Sequence, residues 1–133
     1  MPNLNIFLSY SSLDSNYFQI PELAKRLQDF PTIKKVLFWD VDSGIDIVEY
    51  MEKSIETTDI FILFCSENSS KSKSVKNEWQ AAYQLSNDGV LKIIPVFEEK
   101  VYVPVILRNW LYVEFKRDNV NGFVEELHRE ILR

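Results

Sequence analysis

The sequence predicts an α/β protein with a flavodoxin-like, doubly wound sheet: five parallel strands in the order 2-1-3-4-5, with helices on both faces. Two observations lead to this prediction. Along the 133 residues, five short apolar segments alternate with amphipathic helical segments. One segment, Ile60–Cys65, has six consecutive apolar residues between polar ones, which is typical of a strand covered on both faces. Residues 1–133 are expected to form a single domain.

The predicted strands are short apolar segments at residues 5–10, 35–39, 60–65, 90–97 and 110–115. We expect the third strand at the centre of the sheet, because both of its faces are apolar. Pro95 cannot donate a backbone hydrogen bond, so the fourth strand is expected to end there or to lie near the edge. The fifth strand alternates in polarity like a half-covered edge strand.

Four helices are predicted from apolar residues that repeat at helical spacing. The first carries Pro21 in its first turn, a position that suits proline. The second covers residues 47–55. The third begins near Ser74, after a serine-rich polar loop, and residues 87–89 form its stop signal. Asn119 is expected to cap the fourth.

Composition and charge limit the classes of function. The net charge of −5 and a pI near 4.9 argue against a nucleic-acid-binding face, which would be basic. No apolar run approaches the roughly 20 residues of a membrane span, and no signal-peptide pattern is present. We therefore expect a cytoplasmic protein with no membrane partner. The chain has one cysteine, Cys65, and one histidine, His128, which do not make up a usual set of soft metal ligands. Both residues are expected to be structural.

Glu78 is the most informative residue of the third helix. Val75, Trp79 and Ala82 form one apolar stripe of this helix, and Glu78 falls within the same apolar sector. The helix starts at the carboxyl edge of the sheet, where ligands bind in open α/β folds. An acid early in a helix is also stabilised by the helix dipole. This helix alone therefore leaves a structural and a functional role for Glu78 open.

Three segments, in this order, resemble the Toll/interleukin-1 receptor (TIR) domain family. Residues 6–11, a strand ending in Ser-Tyr-Ser, resemble its first box, and the loop at residues 40–46 occupies the place of its BB loop. Glu78, within Asn-Glu-Trp, falls where enzymatic members carry their catalytic glutamate. The resemblance implies an NAD⁺ glycohydrolase that forms ADP-ribose or a cyclic isomer, acts in immune or antiphage signalling, and is activated by self-assembly. The alternative is a non-enzymatic adaptor that acts through homotypic TIR–TIR association.

The resemblance also implies which residues form the site. Glu78 would be the catalytic carboxylate, with NAD⁺ as a substrate and with no metal or cofactor. The expected substrate-binding residues are Tyr10, Ser11, Ser12, Trp39, Asp40, Ser43, Gly44 and Ser74. Ser74 lies four residues before Glu78, where enzymatic members often carry Trp.

The chemistry of NAD⁺ cleavage is compatible with a single carboxylate. Positively charged nicotinamide is already a good leaving group, so the bond needs no general acid, unlike that of a sugar glycoside. It needs a negative group beside the ribose, where positive charge develops in the transition state.

Apolar residues in irregular segments bear on self-association. Val41, Ile45 and Ile47 lie in or just after the loop at residues 40–46, and residues 101–107 contain five more apolar residues without a helical or strand period. Exposed, such residues would form a contact surface. The alternative is that they fold back onto the sheet.

Overall fold

The computed structural model describes residues 3–38, 57–109 and 112–133. Within these ranges a single sheet is formed by β1 (Leu4–Ser9), β2 (Ile33–Phe38), β3 (Ile60–Cys65), β4 (Lys92–Phe97) and β5 (Val113–Glu114). Its strands pair in parallel, in the spatial order β2-β1-β3-β4-β5. The predicted fold class and strand order are therefore confirmed.

β3 is the central strand, as its composition predicted. It pairs with β1 on one side and along its whole length with β4 on the other. Its side chains alternate between the two faces of the sheet and join two separate cores. Ile60, Ile62 and Phe64 lie in the first core, and Phe61, Leu63 and Cys65 lie in the second.

Helices cover both faces of the sheet. α1 (Ile20–Gln28) and α4 (Val120–Leu132) bury their apolar stripes in the first core. A short helix, α2 (Glu67–Lys71), precedes α3 (Lys73–Asn87), which packs on the second core. Burial of a large aliphatic side chain stabilises a fold by roughly 2 kcal/mol, so these stripes hold the helices in place.

The signals predicted at Pro21, at residues 87–89 and at Asn119 are present in the structure, and Ser72 adds a helix cap that was not predicted. Ser72 caps α3 by accepting a hydrogen bond from the backbone N–H of Val75 at 3.2 Å. Asn119 caps α4 through the backbone N–H of Gly122 at 3.1 Å. Each such cap is worth about 1 kcal/mol. α3 ends at Asn87, and two residues later Gly89 adopts a φ of +76°, which side chains rarely tolerate.

Several boundaries differ from the prediction. β1 covers Leu4–Ser9 rather than residues 5–10, and β2 begins at Ile33 rather than at residue 35. Part of the predicted serine-rich loop is helical, because Ser66 and Ser69 form a reciprocal capping box that satisfies the backbone groups of one turn. β4 begins at Lys92 rather than at residue 90. β5 contains only Val113 and Glu114, and residues 110 and 111 of the predicted strand lie outside the described ranges.

Pro95 lies within β4, opposite Leu63 of β3, so the expectation that it marks a strand end is wrong. The alternative expectation, a position near the edge of the sheet, is confirmed, because in the described sheet the two-residue β5, paired with Val96 and Phe97, is the one strand beyond β4. Proline is tolerated here because the described β5 pairing starts after Pro95, so no β5 acceptor is matched to it.

The predicted helix at residues 47–55 lies outside the residues that the structure describes. Among the helices described, none has the length and apolar character needed to span a membrane.

Candidate active site

The candidate site lies at the carboxyl edge of the sheet, next to the ends of β1 and β3. Connections leave these neighbouring strands toward opposite sides, to β2 and to β4, which makes this the topological switch point where open α/β sheets bind ligands. Ser9, the last residue of β1, pairs with Leu63. α3 contacts β1 and brings Glu78 to the end of that strand.

Glu78 is buried although it is ionisable. Only 4% of the residue is exposed, and its Oε1 accepts a hydrogen bond from the Ser9 hydroxyl at 3.1 Å. Glu78 lies in the second turn of α3, whose first turn contains no acidic residue. Because the helix dipole acts mainly on the first turn, it does not explain why an acid occupies this position.

The electrostatics of Glu78 follow from its burial. Removal from water disfavours the charged form and raises the pKa of the carboxyl from an ordinary 4.5 to about 8, while the Ser9 hydrogen bond acts in the opposite direction. Among the described residues, Glu78 forms no ion pair. In the unliganded protein the carboxyl is therefore mainly neutral at neutral pH, and a nearby positive charge would favour its ionisation.

A cavity of about 110 Å³ opens beside Glu78. Five of the residues in its walls were predicted from the sequence as site residues: Tyr10, Ser11, Ser12, Ser74 and Glu78. Three others were not predicted: Leu8, Ser72 and Val75. These residues come from β1, the loop after it and the start of α3. Trp39, Asp40, Ser43 and Gly44 lie outside the described ranges, and their part in the site stays a prediction.

The hydroxyl groups around the cavity differ in their availability. Ser11 is buried, and its Oγ accepts a hydrogen bond from the Leu13 N–H, which caps a 3-10 turn at Ser12–Asp14. Ser12 and Ser74 are exposed. Tyr10 is half-buried and packs against the first core. Ser72 is half-buried, and its Oγ accepts a hydrogen bond from the Val75 N–H. The cavity thus offers the two exposed hydroxyls of Ser12 and Ser74, one aromatic ring and one carboxyl group.

Asp14 holds the loop after β1 against the segment after β3. Its carboxylate is buried and accepts hydrogen bonds from the Ser66 hydroxyl and from Asn68 Nδ2, the latter at 2.7 Å. A carboxylate that accepts hydrogen bonds tolerates burial better than a bare one. This contact fixes the two loops that flank the switch point.

Sequence reasoning did not include Ser9, Asp14 or Ser72 among the site residues. Ser72 was recognisable, because a serine just before an amphipathic segment is a usual N-cap. The sequence carried no signal for the partners of Ser9 and Asp14, which lie 69 and 52 to 54 residues away.

A larger cavity of about 530 Å³ has Asp14 in its wall and shares no lining residue with the cavity beside Glu78. Glu67, Glu98 and Glu99 contribute to its walls, together with Tyr17 and Tyr102. The charge of these carboxylates disfavours an anionic ligand such as a dinucleotide. The smaller cavity beside Glu78 is therefore the better candidate for a nucleotide-binding site.

Cys65 and His128 have the surroundings of structural residues, as the sequence predicted. Burial raises the pKa of the Cys65 thiol to about 12, so the reactive thiolate is rare. His128 stacks on Phe30 with ring centroids 3.7 Å apart, and its Nε2 lies 2.9 Å from the Thr32 hydroxyl oxygen. Within the described ranges, no cluster of three or more acidic, histidine or cysteine side chains could hold a metal ion.

Two solved structures with a similar fold are TIR domains. The TIR domain of the Toll-related receptor TRR-2 from the lower metazoan Hydra magnipapillata matches with a TM-score of 0.73 and 20% identity, over 98% of this chain and 100% of that one. The TIR domains of the activated Roq1 resistosome, which directly recognises the pathogen effector XopQ, match with a TM-score of 0.60 and 15% identity, over 98% and 85%. At such identities the likeness shows the fold alone.

Comparison at the level of sequence gives the family. Among curated proteins there is no significant match. The family model described as "TIR domain", however, matches residues 6–131, from the first strand to the end of the last helix. The ordered motifs, the strand order and this match agree, and the chain belongs to the TIR domain family.

Proposed function

We propose that this TIR domain is an NAD⁺ hydrolase that cleaves the nicotinamide–ribose bond and forms ADP-ribose or a cyclic isomer of it. The observation that carries the proposal is Glu78, a buried carboxyl group at the edge of a cavity at the topological switch point. Perturbed carboxyl groups in clefts are frequent at catalytic sites. An immune or antiphage signalling role belongs to the same proposal and rests on the family.

A purely structural role accounts poorly for Glu78. It does not cap α3, it lies beyond the first turn, and among the described residues its hydrogen-bond partner is the neutral Ser9. A glutamine or an apolar residue would fill the same space without the cost of burying an ionisable group. Buried acids that raise the cost of folding in this way are expected where chemistry needs them.

In the proposed reaction, the bond between the ribose C1′ and the nicotinamide nitrogen breaks and its electron pair stays with the nitrogen. The leaving group becomes neutral nicotinamide, and the ribose takes on the positive charge. The Glu78 carboxylate beside the cavity stabilises this charge. Water then adds to C1′ and loses a proton, which gives ADP-ribose. In the cyclic route, a nucleophilic atom of the adenine or a ribose attacks C1′ instead.

The neutral resting state of Glu78 is compatible with this role. The nicotinamide ring of NAD⁺ is a cation, and a positive charge within a few ångströms favours the ionised form of a carboxyl group. Substrate binding would therefore shift the pKa of Glu78 downward from about 8 and generate the carboxylate where it is needed.

The size of the cavity bears on which part of NAD⁺ it would hold. The described walls enclose about 110 Å³, whereas pockets for whole drug-sized ligands measure roughly 300 to 1,000 Å³. We therefore assign to it the nicotinamide ring or the adjoining ribose, with Tyr10 beside the ring and the hydroxyls of Ser12 and Ser74 near the sugar. The remaining contacts are predicted to come from Trp39, Asp40, Ser43 and Gly44.

A second candidate function is that of an adaptor acting by self-association, and a specific observation favours association. In the segment after β4, Val103 and Leu107 fold back into the second core, whereas Val101 and Val105 are 67% and 73% exposed. Arg108 braces the segment, since its Nε and Nη2 donate to the carbonyls of Val103 and Val101 at 3.0 and 3.2 Å. A fixed, exposed apolar surface fits a protein contact. Assembly is compatible with an enzyme as well as with an adaptor.

NAD⁺ turnover distinguishes the two functions. Concentrated protein is incubated with NAD⁺, and the nucleotides are separated by chromatography. We expect nicotinamide and ADP-ribose or a cyclic isomer from the wild type. Loss of the charge in Glu78→Gln should lower the rate by roughly 10²- to 10³-fold, the usual effect of removing an electrostatic stabiliser.

The matched control is Glu67→Gln, which makes the same chemical change at an exposed glutamate of α2 that pairs with Lys71. Its activity should equal that of the wild type. If the wild type shows no turnover in a state shown to be assembled, or if Glu78→Gln remains fully active, the enzymatic proposal is wrong and the adaptor function is left.

A further inference from the structure

We infer that Ser9 is a positioning residue: its hydroxyl fixes the Glu78 carboxyl group at the edge of the cavity in the orientation that the reaction needs. The inference rests on the proposed function for its catalytic meaning. The contact itself joins the end of β1 to the second turn of α3, with 3.1 Å between Ser9 Oγ and Glu78 Oε1.

Ser9 is suited to this task because it is held rigidly. It is 1% exposed and ends β1, a strand with neighbours on both sides. The residue before it, Leu8, pairs with Phe38 of β2 and with Ile62 of β3, and Ser9 itself pairs with Leu63. A group on an interior strand is placed more accurately than one on a loop.

Glu78, in contrast, needs an external constraint. Its side chain has three rotatable bonds, and burying it in one geometry costs conformational entropy. Among the described residues, Ser9 is its hydrogen-bond partner, and no ion pair fixes the carboxyl. One hydrogen bond from a rigid strand therefore defines where the carboxyl oxygens lie.

The hydrogen bond also acts on the charge. A hydroxyl donates more strongly to a carboxylate than to a neutral carboxyl group, so Ser9 favours the ionised form against the desolvation that opposes it. Without the hydroxyl, the carboxyl would be both less well oriented and harder to ionise. Orientation and charge are the two properties that stabilisation of a cationic transition state requires.

The test uses Ser9→Ala, with Ser9→Cys as a second variant that keeps a side chain of similar size and a weaker donor. The matched control is Ser69→Ala, which removes another buried serine hydroxyl, from the α2 capping box and away from the cavity beside Glu78. Thermal midpoints show which variants fold. Two readouts follow: the titration of the Glu78 carboxyl carbon by NMR, and kcat and KM for NAD⁺.

We expect the titration midpoint of Glu78 to move to higher pH in Ser9→Ala, less in Ser9→Cys, and not at all in Ser69→Ala. We expect kcat to fall by roughly 10-fold or more in Ser9→Ala, the loss typical of a hydrogen bond to a charged group, with little change in KM. A merely structural serine would lower the thermal midpoint but would leave the Glu78 titration unchanged.

An unshifted Glu78 titration in Ser9→Ala, or a kcat equal to that of the wild type, overturns the positioning role. Failure of the proposed function looks different: the wild type then cleaves no NAD⁺, while the Glu78 titration still shifts in Ser9→Ala. The titration thus tests the contact without reference to turnover, and kcat tests its use in the reaction.

Discussion

Replacement of Glu78 by glutamine should make the protein more stable at alkaline pH, which is an unusual result for a substitution at a buried polar site. The amide has nearly the shape of the carboxyl group and can accept the hydrogen bond from Ser9, but it never ionises. The wild type, in contrast, must either keep a proton on Glu78 or bury a charge as the pH rises. The difference between the two proteins therefore depends on pH.

The magnitude follows from the difference between the folded and unfolded pKa of Glu78. Burial raises the pKa from 4.5 to about 8, a difference of about 3.5 pH units. Between these values the folded chain holds a proton that the unfolded chain has lost, so the contribution of Glu78 to stability is complete below pH 4.5 and declines as the pH rises. At about 1.4 kcal/mol per unit, the upper limit of this loss is roughly 5 kcal/mol.

The assay is urea unfolding of the wild type and of Glu78→Gln at intervals from pH 4.5 to above 8. We expect equal free energies of unfolding at the acidic end and a growing advantage of the glutamine variant toward the alkaline end. Glu67→Gln is the control for charge removal at an exposed site. Its effect should stay at a few tenths of a kcal/mol, because an exposed helical ion pair contributes no more than that.

A difference between wild type and Glu78→Gln that is constant across this pH range would refute the reasoning. It would mean that Glu78 has the same pKa in the folded and unfolded chains, and hence that the carboxyl is hydrated or paired in solution. The same result would remove the perturbed carboxyl group from the argument for an active site.

Three further predictions concern activity, the core and assembly. If Glu78 acts as a carboxylate, kcat/KM for NAD⁺ should rise with pH and level off above about 8. The rise in kcat should level off at lower pH, because the bound cation favours ionisation of Glu78. A kcat/KM that falls over this pH range would contradict the role of Glu78 as a carboxylate. Cys65, 3% exposed, should react with thiol reagents only after urea unfolds the protein, and rapid labelling of the native state would show that β3 opens locally. Val105→Asp should reduce self-association in sedimentation experiments and lower specific activity at high protein concentration. The control Val90→Asp changes a valine that is 51% exposed and lies outside this segment, and it should alter neither property. If the protein is monomeric and its specific activity stays constant on dilution, the assembly mechanism is excluded.

Local periodicity was enough to predict the strands and helices because each element follows from a few neighbouring residues. The unbroken apolar run Ile60–Cys65 specified a strand covered on both faces, and the structure places it at the centre of the sheet. The helical spacing around Val75 placed Glu78 on an inward-facing sector, where it is in fact buried. Asn119 marked the start of α4 and Gly89 marked the end of α3, because capping and a positive φ depend on residues close by in the sequence.

The same local logic explains the errors at boundaries. A serine-rich segment can form either a loop or a capped turn, and the reciprocal contacts of Ser66 and Ser69 decided for the turn in α2. Pro95 was expected at a strand end or near the edge of the sheet, and only the second alternative is correct, because its tolerance within β4 depends on where the edge strand β5 pairs. Propensity alone does not determine which neighbour a residue will meet.

For this protein, then, the sequence by itself determined the alternation of strands and helices from which the strand order was predicted, the inward placement of Glu78 and the hydroxyl-bearing loop after β1 that shares its cavity. Only the tertiary structure decided that Ser9 donates to Glu78, that Asp14 ties two loops together, and that the pKa of Glu78 is raised. The physical reason is the distance along the sequence over which each interaction acts. Periodicity and capping act between residues a few positions apart, whereas desolvation and a hydrogen bond across 69 residues exist only after the chain has folded.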